Sequence, residues 1–296
     1  MEQRPDLTPI EGIRRHLRRG VRQYITGSSQ RTSARPATDG WFGPDSMTWL
    51  VQTDWSVLIG GVESLLVQTL HPPTMAGVAD HSDYKNDPFG RLHRTASFIG
   101  ETTFGSATQA QHAVDRVRAI HERVEGETPD GIPYRANDSR NLGWVHATEV
   151  DGFLRAFQRF GSTRISAEGA DQYVAEMARV GEAMGIDKAP RSVAELDETL
   201  LSYRDELKMS SQSREALRFL INPPNSTAVK VPHAMVLSAA VSMLPNWARR
   251  KLWLPPAIRP LDRVLAEPPA RVLLKGLDWV MDAPPEVEEL RRRHSA

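Results

Sequence analysis

No cysteine occurs among the 296 residues, which excludes disulfides, thiolate metal ligands, iron–sulfur clusters, a cysteine nucleophile and a covalently attached c-type haem. Any metal must be held by His, Asp, Glu or Tyr. A charge surplus is also missing: Lys plus Arg number 37 and Asp plus Glu number 37, so no nucleic-acid partner is expected. The longest apolar stretches, around Val57–Val62 and Met235–Leu244, fall far short of the roughly 20 residues that span a bilayer, and no transmembrane segment is expected. The N-terminus carries arginines without an apolar run after them, so it does not read as a signal, and the cytoplasm is the expected location. Nucleotide-binding glycine loops, H-E-x-x-H and G-x-S-x-G are all absent.

What is present is helical periodicity. Hydrophobic residues make up 40% of the chain, enough for a real core. Residues 1–26 read as a basic helical arm, with Ile13, Leu17, Val21 and Tyr24 on one stripe and Arg14, Arg15, Arg18, Arg19 and Arg22 around it. Two readings stay open there: a packed helix with a solvated basic face, or docking on a membrane surface or partner. Residues 27–44, rich in Ser, Gly, Thr and Pro, read as a linker or lid. Residues 45–296 form one helical domain. Its predicted helices cover 45–70 (stopped by His71-Pro72-Pro73), 87–100, 107–124, 139–160, 167–184, 192–206 and 210–221, then 234–243, 245–251, 259–265 and 268–281. Gly60-Gly61 would let a helix or a flat ligand approach its backbone closely. β patterns are nearly absent.

Six of the nine histidines fall between His71 and His146. His146 shares a 3.6-residue stripe with Val150, Phe153, Leu154 and Phe157, which places it on a buried face. A buried histidine is either a hydrogen-bonded core residue or, on an aromatic wall, an axial haem ligand. His121, on the stripe of Val114, Val117 and Val124, admits the same two readings. Arg91, Arg94 and Thr95 follow at i, i+3, i+4, either as a solvated face or as an anion clamp. A carboxylate-bridged di-iron site is disfavoured, because His146-Ala-Thr-Glu149 has the wrong order and no second copy.

The segments His71-Pro72, His81-Ser82, Asp87-Pro88-Phe89-Gly90-Arg91-Leu92-x-Arg94-Thr95, Phe104-Gly105, Arg118-Ala-Ile-His121, Pro133-Tyr134-Arg135 and Trp144-Val-His146-Ala-Thr, taken in order, resemble the MpaB-type oxygenase family, related to the latex-clearing rubber oxygenases. The resemblance spans about residues 45–260. It implies an all-α single domain with a globin-like core, and haem b as cofactor. The family's proximal His-Ala motif falls on His146-Ala147, making His146 the implied iron ligand. The distal Arg-x-x-Lys-Thr motif falls on Arg91, Arg94 and Thr95, with Arg94 in place of a lysine that can ligate iron. Arginine stays protonated and cannot coordinate, so an open distal face is implied, with His71, His81 or His93 as the residues able to close it.

The implied activity is oxidation of a small apolar, isoprenoid-like substrate with dioxygen or peroxide. In it Arg94, Thr95 and Arg91 act on the oxygen species, and Arg91, His121 and His71 join His146 around the cofactor. A non-catalytic haem-binding module and a cofactor-free interaction protein on the same scaffold are the alternatives.

Overall fold

The computed structural model describes residues 9–26, 39–222, 227–258, 262, 264–281, 283 and 285–294. Residues 27–38 of the predicted linker and most of the predicted 259–265 helix lie outside them. The rest of that linker is not loose, since Gly40 bridges Ser106 and Phe42 is buried in the core with its carbonyl accepting from Trp49 Nε1 at 3.1 Å. Fourteen helices are present among the described residues, with one small two-stranded sheet.

The chain begins with α1 (Pro9–Thr26). The long helix predicted from 45 to 70 is two helices, α2 (Met47–Gln52) and α3 (Val57–Gln68). Asp54 makes the break: its Oδ1 accepts from Ser56 N at 2.9 Å, and its Oδ2 accepts from Ser162 N at 2.9 Å and Ser162 Oγ at 2.8 Å. An aspartate that bonds its own backbone two residues on competes with helix continuation. The prolines after His71 do not only stop α3. They open α4 (Pro72–His81), since Pro suits the first helical turn, where its missing N–H costs nothing. Helix α5 (Pro88–Phe104) starts as its sequence predicts, with Asp87 Oδ1 accepting from Gly90 N at 2.8 Å.

Helix α6 (Ala107–His121) follows, then the hairpin β1 (Glu125–Glu127) and β2 (Pro133–Arg135). The helical periodicity gives no hint of this hairpin, although Asp130-Gly131 marks its turn and Gly131 has φ +78°. Its buried Tyr134 donates to Asp80 Oδ2 at 2.7 Å and holds the hairpin on α4. Helix α7 (Ser139–Phe160) is the axis of the fold. Asp138 sits at its N-cap without a side-chain bond, and the Ser139 hydroxyl accepts from Asp187 N instead, at 2.9 Å.

The chain continues as α8 (Ala167–Met184), α9 (Val193–Ser202), α10 (Ser211–Ile221) and α11 (Thr227–Met243). It ends with α12 (Asn246–Lys251), α13 (Glu267–Val280) and α14 (Pro285–His294). Packing against α3 extends α11 well upstream of its predicted start, with Pro232 inside it.

Two apolar clusters meet across α7. Phe153, Leu154 and Phe157 pack with Trp49, Leu50 and Val51 of α2 and Tyr173, Val174 and Met177 of α8. Trp144, Ala156 and Phe160 pack with Ile59 and Leu66 of α3, Ala239, Ala240 and Met243 of α11, and Tyr203. Burial of these side chains, worth about 1.5–3 kcal/mol for each large one, is the main force behind the assembly. The closest helix pair is α3 with α7: a Cβ on Gly60 would lie 2.4 Å from the Gly152 carbonyl oxygen, and one on Gly152 would lie 2.7 Å from the Gly60 oxygen. The close approach expected at Gly60 is therefore made by a helix.

Helix α1 packs on α5 and α13. Ile10, Ile13 and Leu17 are 63%, 59% and 43% exposed, so its apolar stripe is not the docking face. Arg14 and Arg18 dock it instead.

Candidate functional site

Helix α7 brings His146 to the α7–α8 seam. The imidazole lies against the α8 backbone at Gly181, where a Cβ would come within 3.0 Å of Nε2, 3.1 Å of Cδ2 and 3.1 Å of Ile186 Cδ1. A side chain at 181 would press on the ring, which would have to give by a few tenths of an ångström. The His146 Nε2 atom is buried and has no hydrogen-bond partner. Desolvation holds the imidazole neutral and pushes its pKa down to about 4. A neutral, unpaired, buried nitrogen is an uncommon object, because buried polar atoms are normally satisfied. Nε2 carries a lone pair only in the tautomer protonated at Nδ1, and the α8 backbone at Gly181 packs directly against that atom.

One turn further on, Glu149 is desolvated and its pKa is pushed up to about 7. Tyr173 of α8 is raised well above the usual phenol value, first by burial and then by the neighbouring Glu149 charge. Its hydroxyl accepts from Gln52 Nε2 at 3.4 Å.

The other face of α7 carries a second buried polar group. Glu63 of α3, 1% exposed, accepts from Arg155 Nη1 at 3.2 Å, and Asp151 accepts from the same nitrogen at 3.1 Å. Arg155 Nη2 donates to the Met243 carbonyl. Burial pushes Glu63 up to about 7, with Arg155 opposing and Asp151 adding to the rise. These side chains border a crevice of about 10 Å³ with Thr148 and Trp247, room for about one water. It is too small for an organic substrate.

The remaining sequence-predicted site residues are dispersed. His71 is buried against Trp144 and Tyr203, with Nδ1 bonded to Thr74 Oγ1 at 2.7 Å and Nε2 to Glu206 Oε2 at 3.3 Å. Both ring nitrogens are engaged. His121 ends α6, its Nδ1 buried without a partner and its pKa lowered by burial. Arg91 is half-buried and donates from Nη1 to Ser82 Oγ at 2.8 Å, and among the described residues no carboxylate pairs with it. Arg94, 62% exposed, lies 3.6 Å from Asp87 Oδ2. Thr95 is exposed and donates to the Arg91 carbonyl at 3.1 Å. Helix α5 packs mainly on α6 and α1, and α7 mainly on α3 and α8, so the arginine motif and His146 are not brought into one contact set.

Residues 49–279 match the family described as ER-bound oxygenase mpaB/B'/Rubber oxygenase, catalytic domain. The chain belongs to this family. No curated protein and no solved structure matches it. As an oxygenase it is an oxidoreductase that takes dioxygen and a small-molecule substrate. No described helix is long and apolar enough to cross a membrane.

Two acidic groups of the oxygenase domain are not singled out by sequence reasoning. Glu63 is the single charge in the apolar segment VLIGGVESLLVQ, which by itself calls for a buried partner. Glu149 follows His146 by one turn, a spacing that enters the sequence reading only as a poor match to a di-iron motif.

Proposed function

We propose that the chain is a haem b-dependent oxygenase of apolar, isoprenoid-like substrates, with His146 as the residue that would hold the iron. The observation that carries this reading is the buried, neutral and unpartnered Nε2 of His146. A porphyrin brings four nitrogens of its own and asks the protein for one. When bound, haem supplies the activation of dioxygen.

The chain's own residues do the rest. Desolvation keeps His146 in the unprotonated form that coordinates. Gly181 lets the α8 backbone pack against the ring, within 3.0 Å of Nε2 as measured from a Cβ position at 181. Arg91 is a half-buried cation without a carboxylate partner among the described residues, which suits an anion, although α5 and the His146 face of α7 are not packed together. Arg94 and Thr95 have no comparable support, since both side chains face solvent.

The test is an absorption spectrum of protein purified with haem supplied, followed by His146→Ala. A Soret band in the wild type and its loss in the variant are expected, as is ready carbon monoxide binding by the ferrous protein. Full haem retention with an unchanged spectrum in His146→Ala would sink the assignment and turn attention to His121.

A further inference from the structure

Helix α1 is docked with its polar side inward. Arg14 Nε donates to the Trp279 carbonyl at 2.5 Å and Arg18 Nε to the Val280 carbonyl at 2.8 Å. These are the last two residues of α13, where carbonyls lack helical partners and the dipole is negative, so two guanidiniums one turn apart are held there electrostatically. The consequence is geometric. Ile10, Ile13 and Leu17, spaced for one helix face, are left in water. Beside Arg14, Trp279 is 49% exposed, its ring 5.7 Å from the guanidinium.

We propose that this composite face, the α1 stripe with Trp279, lies in the interface of an anionic lipid bilayer. The distribution of charge selects that occupant. The chain as a whole is neutral, yet α1 carries five arginines against one glutamate, Glu11, and while Arg14 and Arg18 are held on α13, Arg15 and Arg19 are exposed. An apolar stripe backed by an arginine-rich face is the pattern of a helix lying in the plane of a membrane surface, where aliphatic side chains enter the acyl boundary and basic ones meet anionic headgroups. A second copy of this chain is disfavoured on the same surface, because a two-fold pairing of α1 stripes would bring two arginine-rich helices together. The inference is independent of the haem reading, since it uses no residue of the His146 site.

Sedimentation of the full chain with vesicles tests it, using phosphatidylcholine alone and phosphatidylcholine mixed with phosphatidylglycerol. The protein should partition onto the anionic vesicles, much less onto the neutral ones, and should come off as salt is raised. The triple variant Ile10→Ser, Ile13→Ser, Leu17→Ser removes only exposed aliphatic groups and should lower partitioning by more than about tenfold. Arg15→Glu with Arg19→Glu should lower it on anionic vesicles alone. Circular dichroism and a melting curve matching wild type show that the variants fold. No binding to anionic vesicles, or binding that the triple variant leaves unchanged, would overturn the proposal. So would a dimer in solution that the triple variant dissociates, which would assign the face to a second copy.

Discussion

The ring of His146 and the backbone of Gly181 are in contact so close that a Cβ at 181 would sit 3.0 Å from Nε2. Position 181 therefore controls an atom on another helix. Gly181→Ala should displace the imidazole rather than remove it, at a stability cost of about 1–3 kcal/mol for overpacking. Haem retention should fall while His146 is still present. Titrating haem into both proteins measures this, and equal retention would show that the seam can open without moving the ring.

The paired glycines of α3 should separate sharply. Gly60→Ala places a methyl group 2.4 Å from a backbone oxygen that has no rotamer to give. A loss of about 1–3 kcal/mol is expected. Gly61→Ala meets only Phe153 Cε1 at 3.5 Å, and gains helix propensity of about 1 kcal/mol. Denaturant melts of the two variants should shift in opposite directions.

Stability should vary with pH through opposing buried groups. His146 falls from 6.5 to about 4 on folding. The unfolded state therefore binds more protons between those values, and stability drops as pH falls from 6.5 toward 4. Glu63 rises from 4.5 to about 7 and Glu149 does likewise. The folded state binds more protons there, so their contribution is full below 4.5 and is lost as pH rises through 7. Glu63→Gln should remove part of that falling limb, and a non-titrating residue at 146 should remove the rising one. Melts across pH 4 to 8 distinguish them, and an unchanged profile in Glu63→Gln would refute its part.

Arg155 is the only cation that bridges Glu63 and Asp151 among the described residues. Arg155→Met should cost about 3–5 kcal/mol above pH 7, because it strands buried carboxylates. The loss should shrink as the pH is lowered and Glu63 takes up a proton. A penalty independent of pH would mean that packing, not charge, is what Arg155 supplies.

The two arginines of the α5 motif should behave differently toward haem. Arg91→Ala removes a half-buried cation and should weaken haem retention by about 1.5–3 kcal/mol, the size of one charge-assisted hydrogen bond. Arg94→Ala removes an exposed partner of Asp87 and should leave retention within about twofold. The reverse order in a haem-transfer assay would move the anion-binding role to Arg94.

Local rules explain why much of this protein is legible in its sequence. Asp87-Pro88 opens α5 because capping and a fixed proline φ act within one turn, and the stripe around His146 puts it on the buried side of α7 by period alone. Gly60 announces a close approach for the same kind of reason. The break at Asp54, the orphaning of Nε2 against Gly181, the pairing of Glu63 with Arg155 and the inward arginines of α1 are decided only by the tertiary structure. Each depends on which distant backbone or charge arrives opposite a residue. The free energy of such a meeting belongs to the pair, so neither residue's neighbours along the chain encode it.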